Sequence, residues 1–185
     1  MLNVGGKQAH NLVASDLGFA IGPRLNAAGR LDDMATGIEC LLTDNDDLAQ
    51  QYAEELNSLN EERKNIEREM QQQAIMGLQS QALVATIHQA DTEVNALPWG
   101  LCIYDAQWHQ GVIGILASRI KDKVHRPVIA FANADTDLSM AEQEIKGSAR
   151  SIPGLHIRDA LDLMAKRRPD ILTKFGGHAM AAGLS

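Results

Sequence analysis

The sequence predicts an α/β fold in which a long helix precedes a partly parallel sheet flanked by helices. Two observations carry this prediction. Apolar residues recur at three- and four-residue steps from about Asp46 to Leu78, which is typical of one long amphipathic helix. Further along, an apolar strand, a helix and a second apolar strand follow one another within residues 101–132. That order is typical of a parallel pair of strands joined by a crossover helix.

Length and composition predict a globular protein with one hydrophobic core, or one domain with an appendage. A chain of 185 residues with 45% apolar content can bury enough apolar surface for one such core. Neither an apolar run long enough to span a bilayer nor the pattern of a signal peptide is present, so we expect a cytoplasmic protein that does not bind membranes. The 2 cysteines lack the spacing of a zinc site or a disulfide framework.

The net charge of −7 is unevenly distributed. Residues 44–69 hold nine acidic side chains against three basic ones, whereas residues 119–174 hold eleven basic side chains against eight acidic ones. The second half of the chain can therefore present a basic surface to an anionic ligand, despite the acidic total.

Residues 1–20 are predicted to form a loop, and we expect the chain to begin in the middle of a larger protein. The segment from Gly22 to Arg30 then places Arg24, Asn26 and Arg30 among small and apolar residues. Such surroundings can hold a guanidinium still, and its planar fork suits pairs of phosphate oxygens. The alternative is a Gly-Pro turn with two solvated arginines.

The acidic residues before the long helix are interpreted as caps and as compensation of the helix dipole, not as metal ligands. The helix is polar over most of its surface, so it can connect two domains. The alternative is an ordinary surface helix. Residues 79–98 are expected to be irregular, with at most a short strand near residues 83–87.

The α/β part begins with a strand at Leu101 to Tyr104. A loop containing His109 leads into a helix that starts near Gly111 and ends before Arg126, and Val128 to Ala132 form the next strand. Glycine at a helix start leaves free N–H groups open to an anion. We therefore place His109 and Gly111 among the phosphate-binding candidates. The spacing is not that of a dinucleotide fingerprint.

Residues 145–151 form the next predicted strand, in which side chains alternate between the two faces. Lys146, Ser148 and Arg150 then share one face. Basic and hydroxyl groups together suit a terminal phosphate, while the alternative is the solvated face of an edge strand. A helix is predicted near residues 156–166.

Gly176, Gly177 and His178 stand near the end of the chain, ahead of a run of small residues. Glycines let the backbone approach a ligand closely or take a positive φ, and the histidine can donate from its ring nitrogens. The alternative is a glycine turn before an alanine-rich core strand. The chain is expected to stop within a strand and so to be truncated.

Five ordered motifs resemble the bacterial RecJ family, which consists of single-strand-specific DNA exonucleases of the DHH phosphoesterase superfamily. The Gly-Gly-His motif by itself indicates only a DHHA1-type domain. The motifs are Gly22 to Arg30, Trp108 to Arg119, Lys146 to Ser151, Gly154 to Leu161 and Phe175 to His178.

The resemblance implies residues 1–43 as the tail of a preceding DHH domain, 44–80 as a connecting helix and 81–185 as a substrate-binding DHHA1 domain with a mixed sheet. It implies that Ser148 and Arg150, with an arginine from Arg24 to Arg30, hold the 5′-phosphate of single-stranded DNA. His178 and the glycines before it would meet the DNA backbone near the scissile bond.

The resemblance also implies Mn2+ or Mg2+ in the parent enzyme, bound by the DHH domain, so that this part binds DNA without cutting it. Single-strand-binding protein and a helicase are the implied protein partners, and repair and recombination the implied setting. Two alternatives remain: the DHHA1 domain of an oligoribonuclease or cyclic-dinucleotide phosphodiesterase, and a non-catalytic docking module.

Overall fold

The structure, a computed structural model, describes residues 1–88, 98–134 and 144–185, with the side chains of residues 81–88 excepted. The chain divides into two compact units, Met1–Ile66 and Glu67–Ser185. No helix in the described part of the chain is long and apolar enough to cross a membrane.

The first unit is helical from its start. After a 3-10 turn at Ala9–Asn11 come the short α1 (Ala14–Asp16), a π-helical turn (Leu17–Ile21), α2 (Gly22–Leu31) and α3 (Ala35–Leu42). The loop expected over residues 1–20 holds for residues 1–8 and is wrong beyond them, and the alternative of a Gly-Pro turn at the next segment is wrong. Pro23 fits in the first turn of α2, because the N–H that proline lacks would have no partner inside the helix there. Ala28, Cys40, Ala53 and Leu56 form the core of this unit.

The predicted long helix is confirmed as α4, which runs from Asp46 to His88 over 43 residues. Asn45 caps it, since its Oδ1 accepts hydrogen bonds from the N–H groups of Asp47 and Leu48 at 3.0 and 3.1 Å. The helix continues ten residues beyond the predicted end at Leu78, through the stretch where a short strand was expected.

The second unit contains the predicted mixed sheet, with five strands in the order β1-β2-β3-β5-β4. Strands β1 and β2 are parallel, as the strand-helix-strand pattern predicts, and the other neighbouring pairs are antiparallel. The strands are β1 (Leu101–Tyr104), β2 (Val128–Asn133), β3 (Ile145–Arg150), β4 (Phe175–Gly177) and β5 (Ala181–Leu184), and the helices are α5 (Ile113–Val124) and α6 (Ile157–Arg167).

The two helices cover opposite faces of this sheet. Ile157 and Leu161 of α6 pack against Ala149 on one face. Ser148 and Arg150 alternate with Ala149 and therefore point to the other face, where α5 lies against β2 and β3. The α6 face is an apolar core. The α5 face is also packed, with Val128 and Ala130 of β2 fully buried on it, and it carries the polar side chains of β3 as well.

Candidate functional site

Arg150 is held at the end of β3 by a set of short hydrogen bonds. Its Nη1 donates to the hydroxyl of Ser148 at 2.9 Å and to the carbonyl of Ala149 at 2.8 Å. Its Nε donates to the hydroxyl of Ser118 on α5 at 3.2 Å. The guanidinium is half-buried and fixed in orientation, which is the condition under which a planar fork binds an anion with defined geometry.

Gly114, in the first turn of α5, makes this arrangement possible. A Cβ atom added there would lie 2.8 Å from Nη2 of Arg150 and 3.0 Å from Oγ of Ser148. Any larger residue would therefore push the guanidinium away from its present position. Sequence reasoning selected Gly111 as the glycine of this helix start and missed both Gly114 and Ser118. The available signal was their four-residue spacing, which places two small residues on one face of α5.

The loop before α5 turns around His109. Nδ1 of His109 accepts a hydrogen bond from the N–H of Gly111 at 3.1 Å, and its carbonyl accepts from Val112 at 3.0 Å. In the neutral imidazole the proton then resides on Nε2. Both predicted residues thus belong to the turn that leads into the helix carrying Gly114.

Lys146 shares the face of Ser148 and Arg150, as the alternation predicts. Its ammonium group is 3.2 Å from the carboxylate of Glu144. Hydrogen bonds from Ser185 and Lys146 lower the pKa of Glu144, so this carboxylate stays charged at neutral pH. The charge of Lys146 is therefore largely compensated, and Arg150 is the stronger anion-binding group on this face.

A row of glycines extends the face beside Ser148. Ser148 pairs with Gly183, and Gly183 pairs with Gly176, so the three residues lie side by side on one face of the sheet. A Cβ atom added at Gly176 would meet nothing within 4 Å. This part of the sheet is therefore flat and open enough for a ligand backbone to approach the strands closely.

His178 begins the turn between β4 and β5 and is exposed. Its N–H donates to the carbonyl of Ala181 at 2.8 Å, and Ala181 pairs with Arg150 in the sheet. The turn is also tied to its neighbours, because the carbonyls of Ala179 and Met180 accept from Ile157 and Ser151 at 2.9 Å. Two strand spacings separate the backbones of His178 and Arg150, or about 10 Å.

Gly177 is a glycine for a conformational reason. Its φ of +151° is a value that L-residues rarely adopt. A Cβ atom there would lie 2.4 Å from the carbonyl oxygen of Ala181. The glycine pair predicted as one ligand-facing unit thus divides into an open position, Gly176, and a structural one, Gly177.

The remaining candidates, Arg24, Asn26 and Arg30, are on α2 in the first unit. The guanidinium of Arg24 donates to the carbonyl of Ala20 at 2.6 Å, to Oδ1 of Asn57 at 3.0 Å and to the carbonyl of Val4 at 3.4 Å. These bonds tie the N-terminal segment to α4. Asn26 and Arg30 are exposed.

Within residues 1–80, 98–134 and 144–185, no three His, Cys, Asp or Glu side chains are grouped closely enough to hold a metal ion. The arrangement around Arg150 instead offers hydrogen-bond donors, which suit an anion.

Comparison with known proteins places the second unit in a recognised family. The family described as DHHA1 domain matches residues 80–185. The whole chain is 51% identical over 185 residues to the single-stranded-DNA-specific exonuclease RecJ of Salmonella typhimurium, of which it covers 30%. The corresponding RecJ of Bacillus subtilis is 34% identical over 169 residues, which are 91% of this chain and 19% of that protein.

Solved structures give the same result. RecJ from Thermus thermophilus in complex with Mg2+ matches with a TM-score of 0.72 and 30% identity, over 99% of this chain and 24% of that one. An exonuclease RecJ bound to manganese matches with a TM-score of 0.66 and 31% identity, over 96% of this chain and 38% of that one. The chain thus spans between 19% and 38% of the length of these relatives.

Proposed function

The chain belongs to the DHHA1 domain family, and from this premise we propose that it is the substrate-binding part of a RecJ-type exonuclease. In this proposal it grips the 5′-phosphate and the backbone of single-stranded DNA that the parent enzyme degrades from 5′ to 3′. The 51% identity to proteins named single-stranded-DNA-specific exonuclease RecJ supports the substrate class.

The observation that carries the proposal is the fixed guanidinium of Arg150 beside the hydroxyl of Ser148, against the start of α5. A terminal phosphate has more negative charge and more free oxygens than an internal phosphodiester. A charge-assisted hydrogen bond contributes roughly 1.5–3 kcal/mol. Two such bonds lost together correspond to about two orders of magnitude or more in affinity, which is enough to set a preference for phosphorylated ends.

The row of glycines beside Ser148 supports a contact with the DNA backbone next to the 5′ end. Gly183 and Gly176 leave the sheet surface beside Ser148 open, so the sugar-phosphate backbone can lie against it. In the proposal His178, at the neighbouring turn, donates to the following phosphate. Arg30 and Asn26 stay candidates for a further phosphate contact because they are exposed, whereas the hydrogen bonds of Arg24 favour a structural role for that arginine.

Cleavage is assigned to another part of the parent protein. The relatives of known structure include RecJ with Mg2+ and RecJ with manganese, which supports a divalent metal in the parent. Such an ion supplies activated water as the nucleophile. We propose that a DHH domain holds the metal, and that residues 1–185 alone bind DNA without hydrolysing it.

The same kinship supports a role in DNA repair and recombination in the cytoplasm, with single-strand-binding protein and a helicase as partners. In the proposed division, residues 1–43 are the last part of the DHH domain, residues 44–80 form the connecting helix, and residues 81–185 form the substrate-binding domain. Co-purification of the parent protein with single-strand-binding protein, compared with a variant that lacks this chain, would test the partner assignment.

Arg150→Ala tests the central proposal, in the protein expressed from its complete coding sequence. Binding is measured without divalent metal, so that no cleavage occurs, on two oligonucleotides that differ only in a 5′-phosphate or a 5′-hydroxyl. We expect the variant to lose about tenfold or more of its affinity for the phosphorylated strand and little for the other.

Arg158→Ala is the control, because this exposed arginine of α6 pairs with Asp159 outside the proposed site. An equal loss on both oligonucleotides in Arg150→Ala would contradict the phosphate role. Tighter binding of a dinucleotide than of either oligonucleotide would favour the small-nucleotide phosphodiesterase instead.

A further inference from the structure

The second half of α4 contacts the elements that carry the proposed phosphate site. Glu67, Met70 and Ala74 stand at three- and four-residue steps along the helix, and all three are buried. This stripe lies within the unit of residues 67–185. Two polar side chains of the same stretch reach the segment from Trp108 to Arg119.

Gln73 holds the loop before α5. Its Oε1 accepts a hydrogen bond of 2.8 Å from Nε1 of Trp108, whose side chain is only 6% exposed. A buried indole N–H needs an acceptor. The next residue, His109, makes the turn with Gly111 that starts α5. Gln73 therefore anchors the chain one residue ahead of that turn.

Glu67 holds α5 itself. Its Oε1 accepts a 2.9 Å hydrogen bond from Nε of Arg119. Arg119 directly follows Ser118, and the Ser118 hydroxyl accepts from Arg150 at 3.2 Å. A mostly buried carboxylate requires a charged partner, so the pair fixes α5 beside the residue that contacts the guanidinium.

We infer that Gln73 and Glu67 are positioning residues for the phosphate site. They hold the Trp108 loop and α5 where Gly114 and Ser118 receive the guanidinium of Arg150. The inference rests on the proposed function of Ser148 and Arg150. It adds that two residues outside the site also determine the affinity for the 5′-phosphate. A change in the position of α4 along α5 would alter phosphate affinity without changing a residue that touches phosphate.

Gln73→Met tests the inference in the protein expressed from its complete coding sequence. Methionine keeps the length of the side chain and removes the acceptor, whereas Gln73→Glu keeps an acceptor oxygen. Gln72→Met is the matched control, because Gln72 is an exposed neighbour on the same helix. Gln73 lies at the surface, so water can replace its bond to Trp108 and the fold should persist.

Two readouts are measured, both without divalent metal. The first is the dissociation constant for a 5′-phosphorylated oligonucleotide, which we expect to rise about three- to tenfold in Gln73→Met. The second is the fluorine NMR resonance of fluorotryptophan at position 108, assigned by its loss in Trp108→Phe. It should shift in Gln73→Met and stay near its original place in Gln73→Glu and Gln72→Met.

Equal affinity and an unmoved Trp108 resonance in Gln73→Met would overturn the inference, and so would an equal loss in Gln73→Glu. If the wild-type parent protein shows no preference for the 5′-phosphate, the proposed function is wrong. Measurements on the wild type and on Arg150→Ala decide this point without any Gln73 variant. The fluorine spectra still report in that case whether Gln73 positions the loop.

Discussion

Adjacent glycines in β4 have different physical roles. Gly177 has a φ of +151°, and a side chain there would collide with the backbone of Ala181 and Ala182. Gly176 has open space where a Cβ atom would be. In the sequence the two glycines form one motif. Only the backbone conformation shows that Gly177 is required for the hairpin, whereas Gly176 leaves the sheet surface open.

Gly177→Ala is expected to destabilise the protein by more than about 1 kcal/mol, because alanine is strained at positive φ and its Cβ has no room. Gly176→Ala is the matched control and should leave stability nearly unchanged while weakening oligonucleotide binding. Urea denaturation followed by circular dichroism gives the first quantity, and a binding titration gives the second. If Gly176→Ala were the more destabilising change, the assignment of the two roles would be wrong.

Arg24 was predicted from its small and apolar neighbours, and Arg150 from the alternation of side chains along its strand. Arg150 is fixed by Ser148 and Ser118 beside an open sheet face. The guanidinium of Arg24 donates hydrogen bonds to Asn57 and to the carbonyls of Ala20 and Val4, all within its own unit. Local sequence indicates that an arginine will be held still, but the acceptors around it decide whether its fork faces a ligand or the protein.

Among the elements, those with strong periodicity were predicted well. The long helix, the parallel pair β1 and β2, strand β3 and helix α6 all lie where the pattern places them. Their ends are shifted by a few residues at most, except that the long helix ends at His88 and not at Leu78. Helices α2 and α3 were not predicted, because a Gly-Pro pair stands at the start of α2 and α3 has only 8 residues, too few to show a helical period. Proline there is compatible with a helix, since it occupies the first turn.

Helix α5 ends at His125, which adopts the left-handed conformation with φ 50° and ψ 42° and donates its N–H to the carbonyl of Lys121 at 2.9 Å. Glycine is the residue that favours this position. His125→Gly is therefore expected to stabilise the protein by up to about 1 kcal/mol, and His125→Val to destabilise it. Thermal denaturation of the two variants checks the order, and a less stable glycine variant would contradict it.

At the scale of the whole molecule, the five-stranded sheet is packed on both faces and carries the proposed site on one of them. The α6 face is packed by Ala149, Ile157, Leu161, Ala182 and Leu184. The α5 face is packed by Leu116, Ile120 and Val128, and it also carries Ser148 and Arg150. Since successive side chains of β3 alternate, one strand contributes to the core and to the proposed site at once.

Leu161→Ala is expected to cost about 2–5 kcal/mol of stability, because it leaves a cavity in the α6 face. Leu163→Ala, on the same helix but 50% exposed, should cost far less. Neither change should alter the ratio of affinities for phosphorylated and unphosphorylated ends. Ser148→Ala should lower that ratio with little change in stability. If Leu161→Ala changed the ratio of the two affinities and Ser148→Ala did not, the placement of the proposed site on the α5 face would be wrong.

The sequence by itself determined the long helix, the parallel strand pair, helix α6 and the alternation of β3, because helix and strand periodicity are local and need only a few neighbouring residues. Its motifs also indicated the family that the comparisons then showed. Only the tertiary structure decided that Gly114 and Ser118 meet Arg150 and that Gln73 holds Trp108. These partners lie 32 to 36 residues apart in the sequence, and a contact over that separation depends on strand order and helix packing. No local pattern of residues encodes it.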